Sequence, residues 1–142
     1  MEEYIERITQ NNKVLAIIIR AKAIKKNKDK MKFVSPEDFP FQLGVHNRNK
    51  NDYVEPHQHL PFQELKNLAV QELFYMISGK IKVDLYDEND LKIKEVIISK
   101  GDTILLNTGH GVTFLKKSKL IEIKQGPYRG REQEKRFILG DK

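Results

Sequence analysis

Between Glu72 and Tyr86 the chain spells out a β-hairpin, and this stretch restricts the fold more than any other. In Lys80-Ile81-Lys82-Val83-Asp84-Leu85 apolar and polar residues alternate strictly. That alternation puts Ile81, Val83 and Leu85 on one face of a strand, toward a core, and the charges toward water. Ser78-Gly79 supplies the turn back to the preceding run, residues 72–77. The same pattern recurs as short β-type runs at residues 14–24, 41–46, 53–59, 91–98, 103–106, 111–115 and 120–125. Turn signals separate them, at residues 25–30, 47–52 and 87–90 and at Lys100-Gly101-Asp102. Many short strands with no long helical period predict an all-β sandwich or barrel. Pro56 inside 53–59 predicts an edge, a strand end or a bulge. Residues 60–70 lack alternation and read as a loop or lid.

At 142 residues, 39% of them hydrophobic and 32% charged, the chain suits one globular domain with a sizeable core. There are no cysteines, which excludes disulfides and thiolate metal sites. The longest apolar run, residues 14–19, is too short to span a bilayer, so no membrane partner is expected. The Met-Glu-Glu start lacks the basic-then-apolar pattern of a secretory signal, and a cytoplasmic location is the expectation. Net charge is +6. Much of that excess sits in turns such as Lys25-Lys26-Asn27-Lys28 and Lys116-Lys117-Ser118-Lys119, without a basic helix, so nucleic acid is not an expected partner.

Chemistry concentrates in the histidines, of which there are four. His57 and His59 lie two apart, and on a strand that spacing points both imidazoles to one face. Glu72 stands seven residues before Gly79, and His110 lies in Gly109-His110-Gly111. Two readings stay open for His110: an inward group with the strand parity of Val112, or a turn histidine hydrogen-bonded to backbone. Three imidazoles and a carboxylate make a compact cage for a divalent transition metal, whether Fe, Mn, Ni or Zn. Glu64 competes with Glu72 for the carboxylate role, while His46 reads as a loop-edge residue. Gln125 shares a strand face with Ile121 and Ile123, which would aim its amide inward to meet a ligand or water. Tyr75 and Tyr128 are candidate cavity aromatics. Arg20 and Lys22 share a face of the first strand and are candidate cations for an anionic substrate.

These residues carry a resemblance to the cupin superfamily. His57-Gln58-His59, Glu72 and Gly79 match its first motif, with twelve residues inserted between His59 and Glu72. Gly101, Gly109 and His110 match its second, with Asn107 in the place of a proline and the histidine two residues early. Gln42-Leu43-Gly44, Pro56 to His59, Gln71-Glu72, Gly109 to Gly111 and Lys124 to Tyr128 resemble small bacterial cupins of surface-polysaccharide gene neighbourhoods. The resemblance implies a cupin-type antiparallel β-barrel, the double-stranded β-helix or jelly roll. The barrel would span about 40–126, with an N-terminal strand at 14–24 and a tail at 127–142 docked by Tyr128, Phe137, Ile138 and Leu139.

It further implies a metal held by His57, His59, Glu72 and His110, and a small polar ligand. That ligand would be a sugar or sugar nucleotide of polysaccharide synthesis, met by Gln125, Tyr128 and Arg20. Metal-dependent isomerisation, epimerisation or oxygenation would follow. A second reading dispenses with metal: His57 or His59 moves protons and Tyr75 or Tyr128 assists, as in cupin-like sugar-nucleotide isomerases and epimerases. A third is a ligand-binding or sensor protein without catalysis. A homodimer is expected, with the apolar strand at 14–24 as its surface.

Overall fold

A computed structural model describes residues 1–63 and 66–138. A single 3-10 turn, Glu2–Tyr4, leads into ten strands: β1 (Ile5–Gln10), β2 (Lys13–Ile19), β3 (Met31–Phe33), β4 (Gly44–His46), β5 (Glu72–Ser78), β6 (Lys80–Tyr86), β7 (Lys92–Ser99), β8 (Thr103–Leu106), β9 (Gly109–Phe114) and β10 (Lys119–Lys124). Among these residues α1 (Ala21–Lys26) separates β2 from β3, and α2 (Arg131–Glu134) follows β10. The all-β expectation holds.

The strands form a five-stranded sheet in the order β1-β2-β8-β5-β10, a three-stranded sheet β7-β6-β9, and a β3-β4 pair. Every pairing is antiparallel. The predicted alternation of β6 is observed, with Ile81, Val83 and Leu85 fully buried. They meet Ala16 and Ile18 of β2, Phe74 and Met76 of β5, and Ile104 and Leu106 of β8 in a core between the two larger sheets.

A second cluster covers the other face of the five-stranded sheet, where Ile17, Ile19 and Leu105 meet Val34, Val45, Phe39 and Phe41. So β2 is buried on both faces, which is why residues 14–19 read as an unbroken apolar run rather than an alternating one.

Several sequence expectations need correction. The first strand ends at Ile19 rather than at 24, and α1 follows it. Asp102 directs that change: its buried carboxylate accepts the Ala21 N–H at 3.0 Å, the Ser99 N–H at 3.0 Å and an Arg20 guanidinium N–H at 3.0 Å. Nor is β2 an edge available to a partner copy, since β1 and β8 flank it within the chain. Residues 53–59 form no strand, and only 44–46 of the run 41–46 pair. β1 and β3 escaped the sequence reading. Among the described residues no helix is long and apolar enough to cross a membrane.

Candidate functional site

At one end of the two packed sheets, a side chain from each sheet meets its counterpart across the gap. Glu72 opens β5 with the parity of the buried Phe74 and Met76, so its carboxylate turns inward where the core gives out. His110 pairs with Leu85 in β9 and shares the inner face with Val112. Its Nε2 lies 3.0 Å from Glu72 Oε2, and its ring packs edge-on to Phe74 at 6.3 Å. The His110 Nδ1 lies 2.9 Å from the Thr108 carbonyl. Carboxylate and carbonyl both accept, so the ring carries both protons and the pair is imidazolium with carboxylate.

The electrostatics agree. The hydrogen bond from His110 holds the Glu72 pKa below its ordinary value, against the opposing effect of burial, with help from the charges of His110, Lys124 and Lys135. Burial and the Lys135 charge push the His110 pKa down, yet hydrogen bonds to Glu72 and Thr108 outweigh them and leave it raised. Both side chains keep some contact with solvent, 23% for His110 and 13% for Glu72. That leaves the pair reachable by a small molecule.

A polar network braces both partners from behind. Gln71 is fully buried beside Glu72: its amide oxygen accepts the Phe41 N–H at 3.1 Å and its amide nitrogen donates to Asn107 at 3.0 Å. Its backbone N–H donates to Gln125 Oε1 at 2.7 Å. Asn107 in turn donates to the Val14 carbonyl at 3.0 Å. Thr108, next in the chain, donates its hydroxyl to the Tyr86 carbonyl while its own carbonyl holds His110. Asn107 thus has a side-chain task at β2 that the proline of the cupin motif lacks. The bracing roles of Gln71, Asn107 and Thr108 were missed in the sequence. The one available signal was three amides of a β-rich chain, Gln71, Asn107 and Gln125, each adjoining a site motif.

The other sequence candidates lie elsewhere. His57 and His59 sit on an exposed stretch without strand partners, their rings 5.1 Å apart and edge-on, with His57 Nδ1 at 2.7 Å from the Glu55 carbonyl. His46 is exposed at the end of β4 beside Arg48. Tyr75 stands on the face of β5 opposite Glu72 and is 43% exposed. Ile121 and Ile123 are also exposed, so the face they share with Gln125 looks outward, and Gln71 satisfies the Gln125 amide oxygen. Tyr128 is exposed, its ring 5.8 Å from the Lys124 ammonium. The Arg20 guanidinium is committed to Glu6, Asp102 and the Ile97 carbonyl. Glu64 lies outside the described residues, as does Leu139.

Of the four groups expected to hold a metal, the fold therefore gathers Glu72 and His110. Among the described residues no three His, Asp or Glu side chains converge as ion ligands, and two donors are too few for a metal cage. A hollow of about 130 Å³ bounded by Gln10, Lys13, Asp87 and Glu88 holds no such pair. Compared with known proteins, the chain matches no family model, no curated protein and no solved structure.

Proposed function

We propose that the Glu72–His110 end is a proton-transfer site for a small polar molecule, a sugar or sugar nucleotide, in a cupin-type barrel. One observation supports this above the others: an imidazolium held between a carboxylate and a carbonyl at 3.0 and 2.9 Å, at the partly open end of a core. Hydrogen bonds to Glu72 and Thr108 raise the His110 pKa and so favour its protonated form, which suits a general acid. Glu72 stabilises that charge and orients the ring, while its Oε1, without a hydrogen bond among the described residues, is free to accept a substrate hydroxyl. In this reading Lys124, Phe74 and the Gln71–Asn107 network position the pair.

A metal-bound version draws support from the same convergence, because Glu72 and His110 are two of the four groups that the sequence pattern assigns to an ion. It requires residues 53–59 to lie along the open edge of β9 and add His57 and His59.

Proton exchange separates the two. With a panel of nucleoside diphosphate keto sugars in heavy water, NMR should show deuterium entering carbon positions beside the carbonyl. The exchange should survive chelator and fall about 100-fold or more in His110→Asn and Glu72→Gln. Exchange lost to chelator and restored by a divalent metal, with metal content that falls in His57→Ala, would favour the metal version. Exchange indifferent to His110→Asn would sink both.

A further inference from the structure

The chain beyond β10 crosses the end of the molecule that carries Glu72 and His110. After the cis Gly126-Pro127 bond it runs outward, forms α2, and is tied down on both sides. On one side Glu134, 8% exposed, takes the Lys124 ammonium at 3.1 Å and the Arg129 N–H at 3.0 Å. Lys124 is the strand partner of Glu72. On the other side Arg136 grips Asp90 with two hydrogen bonds of 2.6 and 2.9 Å, in the turn that follows β6. Ile138 then packs so close to Gly109 that a β-carbon there would sit 3.2 Å from its Cδ1. Gly109 adjoins His110. The strap is therefore anchored beside each member of the pair, and Lys135 falls between the anchors.

The other cations of the strap among the described residues are occupied. Arg129 lies 4.0 Å from Glu134, Arg131 stacks 4.8 Å over the Phe137 ring, and Arg136 holds Asp90. Lys135 is exposed and pairs with no carboxylate among the described residues. Its charge reaches both Glu72 and His110. We propose that Lys135, positioned by the anchored strap, receives a phosphate group of the small molecule that binds at Glu72–His110. The inference rests on that end being a binding site. An ammonium between two fixed anchors, at the end of the molecule that carries the Glu72 carboxylate, suits a molecule with a phosphate at one end and hydroxyls at the other. It thereby selects phosphorylated or nucleotide-linked sugars over neutral ones.

The test is titration of the full chain with inorganic phosphate, uridine diphosphate and neutral glucose at fixed pH, followed through the His110 ring resonance, which His110→Asn assigns. Phosphate and uridine diphosphate should shift that resonance, with affinity falling about 5- to 10-fold in Lys135→Ala, further in Lys135→Glu, and steeply with added salt. Arg136→Ala, which frees one anchor, should weaken phosphate binding in the same direction. Unchanged thermal unfolding in Lys135→Ala would show that the loss is local. A phosphate-induced shift with equal affinity in wild type and Lys135→Ala overturns the role of Lys135 and leaves the site intact. So does glucose shifting the resonance when neither phosphate ligand does. No shift from any of the three overturns the site itself.

Discussion

At the scale of single residues, the His110–Glu72 pair ties stability to pH in a definable window. Folding raises the His110 pKa above its ordinary 6.5, so its contribution is complete below that value and fades as pH climbs through the raised one. Folding lowers the Glu72 pKa below its ordinary 4.5, so that contribution is complete above 4.5 and fades as acid titrates through the lowered value. Both are in place between these ordinary values. The charges facing the pair, Lys124 and Lys135, favour the Glu72 carboxylate, and Lys135 opposes the imidazolium. Urea unfolding should thus show wild type losing more stability than His110→Asn on going from pH 6 to pH 8.5, by up to about 1.5–3 kcal/mol, the worth of a hydrogen bond to a charged group. Parallel profiles for the two proteins would contradict the pairing. The inward parity of His110 was legible from its spacing to Val112. Its bond to the Thr108 carbonyl matches the other reading of the sequence, a turn histidine held by backbone, and the structure joins the two readings in one side chain.

Among the elements, the contrast is between strands that announced themselves and a segment that did not behave as one. β6 was legible because one face meets the core and the other water, and its sequence alternates accordingly. β2 was legible as apolar but overran its end by several residues, because α1 continues the Ala and Ile content of the strand and the stop comes from a distant side chain, Asp102. That residue lies 81 positions away and gives no local signal. Asp102→Ala should therefore cost about 2–4 kcal/mol, since it orphans the Ala21 and Ser99 N–H groups and a half-buried guanidinium. A loss under 0.5 kcal/mol by chemical denaturation would refute the anchoring role. Residues 53–59 have the His-x-His spacing of a ligand strand, but spacing cannot supply a neighbour to pair with, and Tyr53, Val54, Leu60 and Phe62 remain exposed.

For the molecule as a whole, the site is a product of sheet packing: Glu72 belongs to the five-stranded sheet and His110 to the three-stranded one. No single local motif spans them; two separate motifs of the cupin pattern, one holding Glu72 and the other His110, make their meeting an expectation of the sequence. The centre of the larger sheet has a consequence of a different kind. β2 pairs with β8, matching Ala16 to Leu106 and Ile19 to Thr103, so an interior strand from the first half of the chain is completed only with residues from the second. During synthesis residues 14–19, apolar on both faces, can pair only with β1 until β8 has left the ribosome. Such long-range closure predicts refolding on the order of milliseconds to seconds after dilution from urea rather than microseconds. It also predicts that a chain ended at residue 100 stays unfolded by near-ultraviolet circular dichroism. A cooperatively folded fragment of that length would show that β2 finds its place without its late partner. For this protein the hazard of aggregation is therefore greatest before synthesis is complete, in the interval when its most apolar strand has β1 on one edge and nothing yet on the other.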